Sequence, residues 1–167
     1  MTFEEAASLP VAALTALNGL RKCRTGAGTR VLVNGATGGV GHFAVQIAKA
    51  KGAHVTATCS LANSELARKL GADEVTGYSR EDLKGIEGSF DAIMDAYGKM
   101  SYPDICRLLK RGGTYVSTLF FPPAQFIAPL ISLFRGRKLS SSNMRANPED
   151  YEELERLWKE KKLIPVI

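Results

Sequence analysis

Tryptophan occurs once, histidine twice and cysteine three times among the 167 residues. The cysteines, Cys23, Cys59 and Cys106, stand far apart, with no pair at metal-ligand spacing. That spacing excludes a zinc ribbon and offers no disulfide framework, so reduced, buried or half-buried thiols of a cytoplasmic protein are expected. Long apolar runs are also missing. The most apolar stretch, 119–134, is broken by Pro122, Pro123, Gln125 and Pro129 and is too short to span a bilayer. Charge of one sign does not dominate: 22 basic against 17 acidic residues leave a net +5, dispersed apart from small clusters at 135–138 and 159–162. The expectation is a solvated surface and no nucleic-acid partner, with a modest positive balance that suits a phosphate-rich ligand. No positively charged start followed by an apolar segment and a small-residue cleavage site is visible, so no signal peptide is expected. Repeats and low-complexity segments are absent as well.

What is present is concentrated between Arg30 and Ser60. The β-branched run Val31-Leu32-Val33 reads as a strand, and the cluster Gly35-Ala36-Thr37-Gly38-Gly39-Val40-Gly41 follows it directly. Phe43, Ala44, Ile47 and Ala48 then recur at helical spacing, Lys51-Gly52 ends the helix, and His54 to Cys59 reads as a second strand. Strand, glycine turn, helix, strand is one βαβ unit with parallel pairing and a right-handed crossover. In such a unit Gly35 turns the chain off the strand. Gly38 and Gly39 let backbone N–H groups approach a pyrophosphate, and Gly41 lets the helix sit close to the strand. The helix N-terminus adds unpaired N–H groups and partial positive charge. A glycine triplet alone is weak, but in this context it points to dinucleotide binding.

The remaining chain alternates in the same way. Thr2 and Glu5 resemble a capping box for a short helix ending near Ser8, and Pro10 suits the first turn of a second helix with Val11, Leu14, Thr15, Leu17 and Leu20 on its apolar side. Further helices are read at 63–70, 79–84 and 101–110, and strands at 73–77, 90–95 and 113–118. A loop with a helix is expected over 119–134, a sixth, edge strand over 138–144, and a last helix from Asn147 with Tyr151, Leu154 and Leu157 on one side, before an extended end. The pattern predicts an α/β fold: a doubly wound, parallel, six-stranded Rossmann sheet of order 3-2-1-4-5-6, occupying residues 1–167 as a single domain. The coenzyme would lie across the carboxyl ends of the strands at the switch point beside the first.

NAD binders place an acidic residue about 20 residues past the glycines, where it grips the ribose 2′-hydroxyl. Here the second strand runs into Thr58-Cys59-Ser60-Leu61-Ala62-Asn63, and no acid appears before Glu65. A carboxylate would repel a 2′-phosphate, so its absence favours NADP(H). Ser60 is a candidate phosphate donor, against the plainer role of a helix cap. Tyr78 and Arg80 are placed to fold over the adenine ribose.

The blocks GATGGVGHFAVQIAKAKGAHV, SELARKLGADEV and FDAIMDAYG closely resemble the medium-chain dehydrogenase/reductase superfamily, and among its branches the zinc-free quinone oxidoreductases and enone reductases. The resemblance extends to both flanks, Phe3–Pro10 and Leu154–Ile167. It implies a catalytic-zinc cysteine four residues before the threonine matched by Thr15; Val11 stands there, so no metal site is expected. It further implies contacts near the nicotinamide at Thr15, Ser142 and Met144, strand ends that face the cofactor at Ala96, Ser117 and Thr118, and a phosphate loop of Thr37, Gly38, Gly39 and Val40. Ser60 and Tyr78 match contacts of NADP-using members, while Asn63 replaces a lysine that many relatives offer to the 2′-phosphate. Members wrap a GroES-like catalytic domain around this one, and nothing in the 167 residues matches it. The chain is therefore expected to be the coenzyme domain alone, with no catalytic acid or base of its own.

The resemblance implies NADP(H)-dependent hydride transfer to a quinone or an α,β-unsaturated carbonyl. A short-chain dehydrogenase is the rival enzyme, but it needs a tyrosine followed four places on by lysine, and none of the five tyrosines has one. Two non-enzymatic readings stand beside it: a module that binds or senses NADP(H) without turnover, and an interaction domain that forms a homodimer through the 138–144 edge.

Overall fold

A computed structural model of the chain describes residues 2–86, 88–119, 136–142, 144 and 146–166. Six strands form one sheet: β1 (Arg30–Asn34), β2 (His54–Thr58), β3 (Glu74–Thr76), β4 (Phe90–Asp95), β5 (Leu109–Ser117) and β6 (Lys138–Ser141). Their order is β3-β2-β1-β4-β5-β6, and every pairing is parallel. The order therefore reverses at β1, whose neighbours are β2 and β4. Helices α1 (Phe3–Lys22), α2 (Gly41–Ala50), α3 (Ser64–Lys69), α4 (Arg80–Lys84), α5 (Tyr102–Leu108) and α6 (Pro148–Lys159) connect and flank the strands. The doubly wound architecture expected from the strand–helix alternation is the one observed.

A parallel sheet is covered on both faces, so its strands bury residues of both parities. Val31 and Val33 of β1 join one core with Leu14, Leu17, Phe43, Ile47 and Leu154 from α1, α2 and α6. Leu32, between them, belongs to the opposite core with Phe90, Ile93, Ile105 and Leu108. That period of two makes β1 the central strand of both layers.

Residues 3–22 form one helix, where two were expected. The Thr2–Glu5 capping box is present, but the helix runs straight through Pro10. Proline leaves the carbonyl four residues earlier without its donor. That residue is Ala6, which is exposed, so water can take the donor's place. Further along, β5 begins at Leu109, four residues earlier than expected, because the β4–β5 register jumps between Phe90↔Leu109 and Ala92↔Thr114. β6 stops at Ser141 rather than 144. On α6, Leu154 and Leu157 are buried as expected, whereas Tyr151 is exposed and Asp150 is buried in its place. Asp150 and Glu153 both pair with Arg21 of α1, and Glu153 also receives Lys51 at 2.7 Å. The expected helix within 119–134 lies outside the described residues beyond Leu119.

The ion pairs set an acid limit on stability. Burial pushes the carboxyls of Asp73, Asp91 and Glu153 upward, but Lys49, Lys110 and the Lys51–Arg21 pair outweigh it and hold each below its ordinary value of 3.8 or 4.5. A carboxylate with a depressed folded pKa contributes stability above its unfolded pKa and loses it as pH falls through the folded one. Thermal unfolding followed by circular dichroism should thus hold a steady Tm at neutral pH and decline once pH drops below about 4.5. Added salt should shrink the decline, because these groups are partly exposed and screened.

Candidate functional site

β1 delivers the chain to the switch point, and Gly35 turns it there with φ +78°, a left-handed value that favours glycine. The N–H groups of Gly35 and Ala36 both donate to the Thr58 carbonyl, at 3.1 and 2.9 Å, which fastens the loop to the end of β2. Gly38 N–H then donates to the Gly35 carbonyl at 3.1 Å. A Cβ on Gly41 would collide with that same carbonyl, so the third glycine does permit close helix–strand packing. Among the described residues, the N–H groups of Thr37, Gly39 and Val40 donate to no carbonyl. A Cβ built on Gly39 meets nothing within 4 Å. Helix α2 starts immediately afterwards with no side-chain cap and no acidic residue in its first turn. Its positive end is left uncompensated, next to the open space at Gly39. Such an arrangement binds anions, diphosphates above all.

Beside the loop lies a cleft of about 280 Å³. It brings together Thr37, Gly38, Ser60, Asn63, Tyr78 and Ala96, six of the residues singled out from sequence, with Tyr97 as an additional wall. Among the described residues no carboxylate lines it. Ser60 precedes the 3-10 turn Leu61–Asn63 but makes no side-chain cap bond, so the cap role is not what its hydroxyl does. Asn63 Nδ2 donates to Thr37 Oγ1 at 3.3 Å, joining the two sides of the cleft. Cys59 is buried at its floor, where burial raises the thiol pKa and the charge of Arg68 lowers it in part. Cys23, buried elsewhere in the core, is pushed up to about 12 by burial, so both thiols are protonated at neutral pH. The side chain of Arg80 lies outside the described residues.

A second group runs along the carboxyl ends of β4, β5 and β6. Thr118 Oγ1 donates to the Ala96 carbonyl at 3.2 Å, and Ser142 N–H donates to the Ser117 carbonyl at 2.7 Å. Ser142 Oγ donates to the Thr15 carbonyl at 2.8 Å. Thr15 itself is buried and its hydroxyl donates back to the Val11 carbonyl at 2.6 Å, the plain role of a helix hydroxyl. Thr15, Ser117, Thr118 and Ser142 are thereby connected to the cleft through Ala96, while Met144 is 48 % exposed beyond them.

Reading the sequence missed Asp95. Its side chain is fully buried at the end of β4, and every donor it meets is neutral. Oδ1 accepts from Asn34 Nδ2 at 2.7 Å, Gly98 N–H at 2.7 Å and Tyr97 N–H at 3.2 Å. Oδ2 accepts from Tyr115 Oη at 2.8 Å and Met100 N–H at 3.1 Å. Asn34 Oδ1 in turn accepts from Thr58 Oγ1 at 2.5 Å. A hydrogen-bonded belt thus crosses the ends of β2, β1, β4 and β5 directly beneath the cleft. Burial, together with the charge of Asp95 and its bond, raises the Tyr115 pKa far above its ordinary value of 10.0, so the phenol is a fixed donor. The spacing Asp95-Ala-Tyr-Gly98 was the available signal, since aspartate accepts from backbone amides two and three residues on.

A family model described as "Zinc-binding dehydrogenase" matches residues 39–160. The chain belongs to that family. It is 46 % identical over 128 residues to the mouse "NAD(P)H oxidoreductase RTN4IP1, mitochondrial", covering 70 % of this chain and 32 % of the relative. It is 33 % identical over 180 residues to the spinach "Quinone-oxidoreductase homolog, chloroplastic", covering 98 % of this chain and 53 % of the relative. The solved quinone oxidoreductase from Coxiella burnetii superposes with a TM-score of 0.89 at 34 % identity, covering all of this chain and 52 % of that one. The chain thus spans from about a third to about half the length of these relatives. The medium-chain dehydrogenase/reductase resemblance drawn from its glycine and downstream blocks is correct. Although the family is described as zinc-binding, no group of three or more histidine, cysteine or acidic residues is placed to hold a metal among the described residues. Nor is any described helix long and apolar enough to cross a membrane.

Proposed function

We propose that the chain is the NADP(H)-binding domain of an oxidoreductase that reduces quinones or α,β-unsaturated carbonyls. The observation that carries this is the uncapped start of α2, with the free N–H groups of Thr37, Gly39 and Val40 around a glycine that projects nothing into the space above. When bound, the nicotinamide supplies the hydride. The chain's own residues bind and orient. The N–H groups of Thr37, Gly39 and Val40 and the α2 N-terminus hold the diphosphate. Ser60 and Asn63 donate to the 2′-phosphate, and among the described residues no carboxylate in the cleft repels it. Thr15, Ser142 and Met144 border the nicotinamide, and Ala96, Ser117 and Thr118 face the cofactor from the strand ends. Val11 offers no metal-binding atom where a zinc ligand would stand, which supports the metal-free branch.

The relatives extend beyond the stretch matched here, and the other wall of the substrate site is assigned to residues outside that stretch. Titration of the 167-residue chain should therefore show NADPH binding more tightly than NADH, with little or no oxidation of NADPH when a quinone is added. Absorbance near 340 nm reads the second result; brisk quinone-dependent turnover by this chain would sink that division of labour. Preference for NADH would sink the assignment of Ser60 and Asn63.

A homodimer through β6 is a second proposal. β6 ends the sheet, and among the described residues only β5 pairs with it. A strand at the end of a sheet favours pairing with a second copy. Sedimentation should give twice the 18.0 kDa monomer mass, and proline placed at Ser140 should return the monomer. The reduced cysteines suit the cytoplasm or another thiol-reducing compartment.

A further inference from the structure

His42 stands in the first turn of α2, directly after the cradle formed by the N–H groups of Thr37, Gly39 and Val40, and is 5 % exposed. Its ring packs on Phe43, with centroids 3.9 Å apart. Nδ1 lies 3.0 Å from the Gly38 carbonyl oxygen. A carbonyl only accepts, so the hydrogen is on Nδ1. Burial lowers the imidazole pKa, and backbone bonds at Gly38 and Gly39 offset part of this, so the ring is uncharged at neutral pH and Nε2 carries a lone pair. Nε2 is buried and meets no partner among the described residues. Packing alone does not account for an imidazole here, because leucine would fill the space with no unpaired acceptor.

The Gly38 carbonyl does not need the ring in order to be paired, since the His42 N–H already donates to it at 3.0 Å. What the second bond adds is direction. Two donors converging on one oxygen resist rotation of its peptide plane. The Gly38–Gly39 peptide needs that restraint, because glycine on both sides leaves its flanking torsions softer than at any other bond of the loop. A trans peptide is planar, so the Gly39 N–H points opposite to the Gly38 carbonyl. A carbonyl held toward α2 aims the Gly39 N–H out of the helix start, into the open space where a Cβ on Gly39 meets nothing within 4 Å.

We propose that His42 is a positioning residue for the anion cradle: its Nδ1–H fixes the Gly38–Gly39 peptide so that the Gly39 N–H faces a bound diphosphate. The proposal rests on the dinucleotide reading above and deepens it, by naming the side chain that holds a cradle amide in its binding orientation. His42 itself touches no ligand and acts through the backbone of the loop.

Calorimetric titration of the full chain with NADPH and with inorganic pyrophosphate, alongside thermal unfolding, tests this. His42→Leu removes the donor and the unpaired Nε2 together, while the Gly38 carbonyl keeps its backbone bond. It should weaken both ligands by a common factor of about 5, with Tm unchanged or raised. His42→Asn should return both affinities to within about twofold of the parent, because asparagine reaches the carbonyl four residues back, as Asn18 Nδ2 does to Leu14 at 2.9 Å. In amide proton–nitrogen spectra of the free chain, the Gly39 resonance should move in His42→Leu and come back toward its parent position in His42→Asn. Parent-like pyrophosphate affinity in His42→Leu would overturn the proposal and leave the cradle standing. So would affinity that falls only in step with Tm, or a His42→Asn variant no better than His42→Leu. A parent chain that binds neither ligand would remove the cradle as well.

Discussion

Gly39→Asp should abolish NADPH binding while leaving the protein slightly more stable. The two effects have opposite signs because they act on different partners. A side chain at Gly39 meets no protein atom within 4 Å, and its φ is not in the left-handed region, so the fold accepts the change. An aspartate just before α2 supplies the negative charge that the helix start lacks, worth about 0.5 kcal/mol. The same carboxylate occupies the space assigned to the diphosphate and repels it. At a few ångströms such repulsion amounts to about 1–4 kcal/mol per charge pair, so affinity should fall by at least about 100-fold. Gly39→Ala, with a methyl and no charge, should cost only a few-fold. Calorimetry reads the affinity and thermal unfolding reads the fold. Retained affinity in Gly39→Asp would remove the cradle from the binding site.

Asp95→Ala should cost about 4 kcal/mol of stability, a drop of roughly 10 °C in Tm for a domain of this size. Five donors converge on the carboxylate, three of them backbone amides of one tight turn. Removing it leaves each donor buried or half-buried without an acceptor, at about 1–3 kcal/mol apiece, and water entering the vacated space recovers part. Asp95→Asn should be milder, about 1–2 kcal/mol. Its single oxygen can serve the three donors now on Oδ1, and the amide can donate to the Tyr115 hydroxyl, so chiefly the Met100 amide loses its partner. Tyr115→Phe should be milder still, near 1 kcal/mol, because it deletes a donor and leaves the acceptor four others. That ranking separates a carboxylate that organises the turn from one that merely fills space. A charge-driven role would make Asn as damaging as Ala.

The sheet order was legible because parallel strands read as short β-branched runs, each followed by a helix with its own stop signal. Gly35 and Gly41 were legible for a different reason. Their roles follow from local backbone geometry, and a glycine in that register has few other uses. Ser60 and Tyr78 could be placed at the cleft because each closely follows a strand of known order, whereas Asn63 was reached only through the family resemblance. Asp95 escaped, although the turn it organises lies within five residues, because its other partners, Asn34 and Tyr115, come from neighbouring strands and meet it only once the register exists. Tyr97 escaped with it, since its position depends on that turn. Pro10 misled in the other direction. Proline usually marks a helix start, and only the exposure of Ala6 shows why this helix could continue past it.

Gln46 binds the strand-like end of the chain with a single amide. Its Oε1 accepts from Ile164 N–H at 2.7 Å, and its Nε2 donates to the Ile164 carbonyl at 2.9 Å, copying one rung of a ladder. Because both bonds go to backbone, they ignore which side chain stands at 164, and Ile164 points outward, 58 % exposed. All the selectivity of this contact therefore sits 118 positions earlier, on α2. Substitution at 164 should be free for anything except proline, whereas even the isosteric Gln46→Glu sets a carboxylate against a carbonyl and loosens the end from the helix.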